Sequence, residues 1–210
     1  MFYCCYNLTE LNLASWNTSN CTTFANMFYN CYSLATVGNL SNWNTSKVTT
    51  IADMFVGCRS LKELKGLSNW DVSKVTTAAE FLYGARALKE VIIENWNLAS
   101  CTSISSIFRE MNNLETLSLK NWSIPKITAG PTYFCTPNYN LKNVYYTVPI
   151  PYNHSYGSSE ALTHESLLVI LNTLPTVSTT RTLNIATNNI NMLTTAEKAI
   201  ATNKGWTLAN

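Results

Sequence analysis

The side chains of this 210-residue chain that could do chemistry are seven cysteines, two histidines and twelve acidic residues. Cys135 with His154 or His164 has the composition of a thiol nucleophile and its base, but no spacing fixes such a pair. Neither histidine lies in a Cys/His pattern with metal-ligand spacing. Asp53, before Met54, and Asp71, after Trp70, read as turn residues, and the seven glycines are too scattered to form a phosphate loop. No catalytic, cofactor-binding or metal-binding residue is assigned, and the chain is read as a non-enzyme without a cofactor.

The cysteines are placed by a repeat. Trp16, Trp43, Trp70, Trp96 and Trp122 recur every 26 or 27 residues. Phe2, Phe28, Phe55, Phe81, Phe108 and Phe134 keep a similar period, with Leu8, Leu34, Leu61, Leu88, Leu114 and Leu141 six or seven residues later. Cys5, Cys31 and Cys58 share one phase, whereas Cys21 and Cys101 alternate with Val48, Val75 and Ile127 in another. In both phases cysteine reads as a small core residue. Parallel rungs do not supply the Cβ geometry a disulfide needs, so reduced, buried thiols are expected. Cys4 is expected to be exposed and the most reactive.

A period of this length marks stacked units, each too small to bury its apolar face alone. The segment Leu114-Glu115-Thr116-Leu117-Ser118-Leu119 alternates in the manner of a half-buried strand. Parallel strands of successive units would lie about 4.8 Å apart. The stretch after each Trp is expected to return the chain as a second short extended piece and one helical turn. Asn42, Asn69, Asn95 and Asn121 share a turn phase, and asparagine tolerates unusual backbone angles there. The Trp column offers an aromatic platform for sugars or bases, but its match to the core leucines favours a structural stack. Trp16, Trp43, Trp70, Trp96, Trp122, Phe28, Phe55, Phe81, Phe108, Cys31 and Cys58 are therefore read as structural ladders.

The phrases MFYNC (Met27 to Cys31), MFVGC (Met54 to Cys58), NWNTSKVT (Asn42 to Thr49) and NWDVSKVT (Asn69 to Thr76) resemble the BspA-type leucine-rich repeat, in the variant first described from mycoplasma surface lipoproteins. The resemblance covers about residues 1 to 148. It implies an extracellular leucine-rich-repeat solenoid of bacteria, some protists and some phages, used in adhesion or recognition. Leu162 to Asn210 resembles a segment that often closes such proteins in gut bacteria.

The expected fold is α/β: a solenoid of short parallel strands and helical turns over 1–148, a linker over 149–162, and an α/β cap over 163–210. In the cap, Thr163 begins a helix that Pro175 ends. Thr182 to Ile185 reads as a strand, Thr194-Thr195-Ala196-Glu197 as a capping box, and Trp206 to Leu208 as a strand beside Leu183. The chain opens inside a repeat, so an upstream domain or N-terminal pairing is expected.

A net charge of +2 with interleaved signs gives no basic stripe for nucleic acid or an anionic membrane. No apolar run approaches the roughly 20 residues of a membrane span. Function is therefore sought on the outer side of the strands, at Glu10, Asn12, Thr36, Glu63, Lys65, Glu90, Thr116, Ser118, Asn143 and Tyr145. Their mixed chemistry suits a protein or glycan on another cell surface, for a module that is itself secreted or surface-held. A phage attachment protein and a structural spacer are the alternatives.

Overall fold

The computed structural model describes residues 1–124, 134–147 and 155–210. Successive repeats lie on one another in parallel register. Three named strands, β1 (Glu90–Ile92), β2 (Thr116–Leu119) and β3 (Asn143–Tyr146), form one sheet in that order. Val91 pairs with Leu117, and Leu117 with Val144. Earlier repeats meet along the same line through isolated bridges, Glu10 to Thr36 and Asn39 to Lys65, and scattered backbone hydrogen bonds such as Leu13 N to the Val37 carbonyl. Glycines interrupt the ladder there. Gly38 and Gly66 have φ of +77° and +88°, and a Cβ on Gly66 would lie 2.2 Å from the backbone nitrogen of Ser41.

A second line of parallel bridges joins Thr23, Thr50, Thr77 and Ser103, and Asn97 joins Ser123. The return stretch is thus extended at single residues and otherwise made of turns. The one short 3₁₀ turn among the described residues, Leu67–Asn69, precedes Trp70 instead of following it. Of the asparagine column, Asn95 and Asn121 take left-handed backbone angles, and Asn121 Nδ2 donates to Asn95 Oδ1 at 2.9 Å.

The phenylalanine column needs a correction. Phe2, Phe28, Phe55 and Phe108 donate their N–H groups to Met27, Met54, Phe81 and Phe134, and Leu82 donates to Ile107. The residues in register are therefore Phe2, Phe28, Phe55, Leu82, Phe108 and Cys135. Phe81 and Phe134 sit one place earlier, with Met27, Met54 and Ile107. With this register the leucine follows by six residues in every repeat. Ring geometry changes with it. Phe2 to Phe28 and Phe28 to Phe55 stack at interplanar angles of 6° and 13°. Phe55 to Phe81 and Phe108 to Phe134 meet edge-on, at 80° and 87°.

The core runs continuously through the stack. Trp43, Trp70, Trp96 and Trp122 are buried and stack with centroids 5.6–6.4 Å apart. Each indole N–H donates to a carbonyl of the preceding repeat: Leu13, Leu40, Leu67 and Ile93 in turn. The Trp face is thereby dry while its one polar atom is satisfied. Trp16, at the first rung, is only partly buried.

The C-terminal part builds a second three-stranded sheet from β4 (Ser155–Tyr156), β5 (Arg181–Ile185) and β6 (Trp206–Ala209), all parallel. Strand β4 falls inside the segment read as linker; residues 149–154 of that segment lie outside the described residues. Helix α1 (His164–Thr173) is capped by Thr163, whose side chain accepts from Ser166 N. Helix α3 (Thr195–Asn203) carries the full Thr194/Glu197 capping box. Between them lies a short helix, α2 (Thr187–Met192), that has no side-chain cap and no sequence signal. Contacts between α1 and β3 join the two parts: Ser166 Oγ accepts from Val144 N at 2.9 Å.

Candidate binding surface

The strand line presents two hollows. The first, of about 700 Å³, is lined by Glu10, Leu11, Asn12, Ala14, Thr36, Gly38 and Asn39. The second, of about 480 Å³, is lined by Lys62, Glu63, Leu64, Lys65, Gly66, Ser68, Lys89, Glu90 and Ile92. The structure thus gathers Glu10, Asn12 and Thr36 at one place, and Glu63, Lys65 and Glu90 at another. Thr116, Asn143 and Tyr145 continue the line beyond both hollows. Asn143 Nδ2 donates to Thr116 Oγ1 at 3.3 Å, and the Lys120 ammonium lies 5.1 Å from the Tyr145 ring centroid.

Ser118 does not belong to this surface. It is 4% exposed, and its hydroxyl donates to Glu94 Oε1 at 2.5 Å. Glu94 folds over it and is held from outside by Lys120 at 3.9 Å. Alternation alone put Ser118 outside; the long side chain of a neighbouring repeat covers it.

Two residues of the surface carry no signal in the alternation. Asn39 takes the outward position in the second repeat because Gly38 inserts an extra residue before the bridge to Lys65. Ile92, 44% exposed, is apolar and offers no polar signal of an outward position. Its register, facing Ser118 in the next strand, would have found it.

Charges along the line are paired across and within repeats. Lys65 meets Glu63 at 2.7 Å, and Glu115 meets Lys142 at 2.9 Å and Lys89 at 3.8 Å. The hydrogen bond from Lys142 holds the Glu115 carboxyl below its usual range. These are exposed pairs screened by solvent, so they orient side chains more than they stabilise the stack.

A different edge of the stack, at the turns that follow the Phe corner, concentrates tyrosine and arginine. Tyr3 stacks on Tyr29 with centroids 5.0 Å apart, and Tyr6 on Tyr32 at 5.1 Å. The Arg59 guanidinium lies over the Tyr32 ring at 4.6 Å, and that of Arg109 over Tyr83 at 5.6 Å. Glu110 accepts from Arg86 at 2.8 Å and from the Tyr83 hydroxyl at 2.9 Å. Arg86 is the main cause of its lowered pKa. Three of the chain's four arginines lie here. The sequence signal was present in Tyr6, Tyr32, Arg59 and Arg86, which each follow the Cys5, Cys31, Cys58 and Ala85 phase by one residue.

The thiols are all free. Cys31 Sγ donates to the Phe2 carbonyl at 2.9 Å and Cys58 Sγ to the Phe28 carbonyl at 3.1 Å. Burial raises the pKa of both, and Cys135, fully enclosed, is pushed up to about 12. Cys4 is only partly exposed, with its backbone left-handed at φ 56°; the exposed thiol is that of Cys5. Among the described residues no group of three or more His, Cys, Asp or Glu side chains could hold a metal ion. His164 instead meets Glu197 at 3.0 Å across α1 and α3. His154 lies outside the described residues. No helix of the described residues is long and apolar enough to cross a membrane.

The molecule is therefore a repeat protein whose units pair in parallel and whose described polar surfaces lie along the stack. Residues 1–122 and 57–144 match the family described as "Mycoplasma protein of unknown function, DUF285", and the chain belongs to that family. No curated protein and no solved structure matches it.

Proposed function

We propose that this chain is a non-catalytic recognition module, a leucine-rich-repeat solenoid of the BspA type with a C-terminal α/β cap. It acts at a cell surface or after secretion, and its partner is a protein or glycan on another cell surface. The reading is carried by one observation: side chains of successive repeats line two hollows along one strand line. Rigid stacked rungs present Glu10, Asn12, Thr36 and Asn39, then Glu63, Lys65, Glu90 and Ile92, with little ordering to lose on binding. Ile92, exposed and ringed by Lys62, Lys65, Lys89, Glu63 and Glu90, has the apolar centre and charged rim of a contact patch. The mixed rim and the net charge of +2 support neither nucleic acid nor membrane insertion.

The test is binding of beads coated with residues 1–210 to mucin-covered epithelial cells and to a panel of gut bacteria. A variant with Glu63, Lys65, Glu90 and Thr116 all replaced by alanine is compared at matched stability. The reading expects saturable binding that falls at least tenfold in the variant. Undiminished binding by the variant would move the contact surface elsewhere, and no binding to any cell would leave a spacer role ahead.

A further inference from the structure

We propose that the first hollow of the strand line, where Glu10, Asn12, Thr36 and Asn39 meet, is a binding site for a neutral pyranose held through adjacent hydroxyl groups. The proposal rests on the strand line being a recognition surface and names what one part of it takes. Three of the four polar side chains are oriented by their own backbone. Asn12 Oδ1 accepts from Ala14 N at 3.2 Å, and Asn39 Oδ1 accepts from Ser41 N at 3.0 Å. A backbone N–H bonds only the oxygen of a side-chain amide, so it fixes which arm is Nδ2. Thr36 Oγ1 accepts from Gly38 N at 3.2 Å, which leaves its O–H to donate elsewhere. Glycine makes room for this arrangement. A Cβ on Gly38 would stand 2.6 Å from Asn12 Oδ1, and one on Gly66 would stand 2.6 Å from Asn39 Oδ1. Each amide therefore lies close over the glycine of the next rung, with little freedom to lose on binding.

These groups are unspent where their counterparts further along the stack are not. Asn121 Nδ2 donates to Asn95 Oδ1, Asn140 Nδ2 to the Asn112 carbonyl and Asn143 Nδ2 to Thr116 Oγ1. Among the described residues, the Nδ2 groups of Asn12 and Asn39 find no acceptor. Glu63, Glu110 and Glu115 each meet a lysine or arginine, whereas Glu10 meets none among the described residues. The hollow, about 700 Å³, thus gathers one unpaired carboxylate, two carboxamides with free N–H groups and one hydroxyl. Their chemistry selects among ligands. An ammonium group would satisfy Glu10 and leave the amide donors idle. A carboxylate or sulfate would take the amides and be repelled by Glu10. Adjacent hydroxyls meet both needs, because each donates to the carboxylate and accepts from an amide N–H. No exposed large apolar side chain of the described residues lines the hollow, so the anchor a protein partner would use is missing there. Leu11 and Ala14, partly exposed, supply a small apolar floor for the C–H edge of a sugar ring.

The test is titration of the full 210-residue chain, followed through the asparagine side-chain NH₂ signals in nitrogen-15 NMR spectra. Asn12→Asp and Asn39→Asp identify the two signals by their loss. Both variants keep an acceptor for the turn, as Asp71 shows where its Oδ1 accepts from Ser73 N at 3.0 Å. The probes are the methyl glycosides of glucose, galactose, mannose and fucose, with glycerol, butylammonium and acetate as controls. The site predicts saturable shifts of both NH₂ signals with at least one glycoside, at concentrations where the three controls have no effect. Glu10→Gln should weaken that binding about tenfold, and each asparagine-to-aspartate change about fivefold. Asn44→Asp, at a turn asparagine outside the hollow, should change it by less than about twofold, with circular dichroism showing every variant folded. Failure of every glycoside, undiminished binding by Glu10→Gln, or tighter binding of butylammonium would each overturn the proposal. The bead assay separates this failure from that of the recognition reading. Beads that bind cells while every glycoside fails overturn the sugar site and leave the strand line to a protein partner. A glycoside held in the hollow by a chain that binds no cell keeps the site and removes the cell-surface role.

Discussion

Asn138 inserts its side chain between two backbone groups of the preceding repeat that bond directly in the other turns: Met111 N donates to Asn138 Oδ1 at 2.8 Å, and Asn138 Nδ2 donates to the Phe108 carbonyl at 3.1 Å. In earlier repeats the equivalent N–H of Cys31, Cys58 or Ala85 donates straight to the carbonyl of Phe28, Phe55 or Leu82. Asn138 stands in the cysteine column, where the thiols of Cys31 and Cys58 also donate to a carbonyl of the preceding repeat. The column therefore has a hydrogen-bonding role that cysteine and asparagine share, and Asn138 extends it toward the C-terminal part. Its carbonyl accepts from Ser159 Oγ at 2.8 Å, and the Ser159 carbonyl accepts from Asn189 Nδ2 at 2.6 Å.

The order of stability expected at this position is Asn, then Cys, then Ala, then Asp. Asn138→Cys keeps a donor toward Phe108, as in earlier repeats. Asn138→Ala removes both partners but allows Met111 N–H to close on the Phe108 carbonyl, so a cost of about 1–3 kcal/mol is expected. Asn138→Asp places an acceptor-only, ionisable group where the residue is fully buried and a carbonyl needs a donor. Its cost should exceed that of alanine. Urea unfolding midpoints of the three variants at constant m-value check the order.

Thiol reactivity should follow burial and not sequence phase. Cys5 is exposed, Cys4 and Cys21 are partly exposed, and Cys31, Cys58, Cys101 and Cys135 are buried. With its pKa near 12, Cys135 has about one thiolate in ten thousand at pH 8. Timed iodoacetamide labelling of the native protein, read by mass spectrometry, should modify Cys5 first. The four buried thiols should react only on the timescale of unfolding. Early labelling of Cys58 or Cys135 would show that the stack opens locally.

The period, the leucine positions and the caps of α1 and α3 were legible because each follows from residue type at a fixed spacing. Thr163, Thr194 and Glu197 are capping residues wherever a helix begins, and the structure uses them so. What escaped were effects of one residue. Phe81 and Phe134 looked equivalent to Phe55 and Phe108 because side-chain type was matched across a repeat whose length changes by one, whereas the backbone hydrogen bonds set the register. Gly38 moved the outward position of its repeat to Asn39 by the same kind of insertion. Ser118 was misplaced because alternation reports direction from the sheet, not whether a long neighbour such as Glu94 lies on top. Helix α2 has Ala186 at its N-cap with no capping side chain, and the buried Asn189 side chain donates to the distant Ser159 carbonyl.

Stability should fall on the alkaline side through groups buried beside β3. The hydroxyls of Tyr146 and Tyr156 lie 3.2 Å apart in the interior, and burial raises both pKa values. Cys135 is raised by burial from 9.0 to about 12. In each case the folded state favours the protonated, neutral form, so the unfolded chain binds fewer protons than the folded one at high pH. The sign follows from linkage: the contribution is complete below the unfolded pKa values, near 9 for the thiol, and is lost as pH rises through the folded ones. The urea midpoint should hold roughly level from pH 7 to about 8.5 and then decline steadily toward pH 11. Tyr156→Phe, which removes one buried ionisable hydroxyl, should make the decline shallower while lowering the neutral-pH unfolding free energy by about 1 kcal/mol for the lost hydrogen bond. Parallel slopes for the wild type and Tyr156→Phe would show that the tyrosine pair does not govern the alkaline limb.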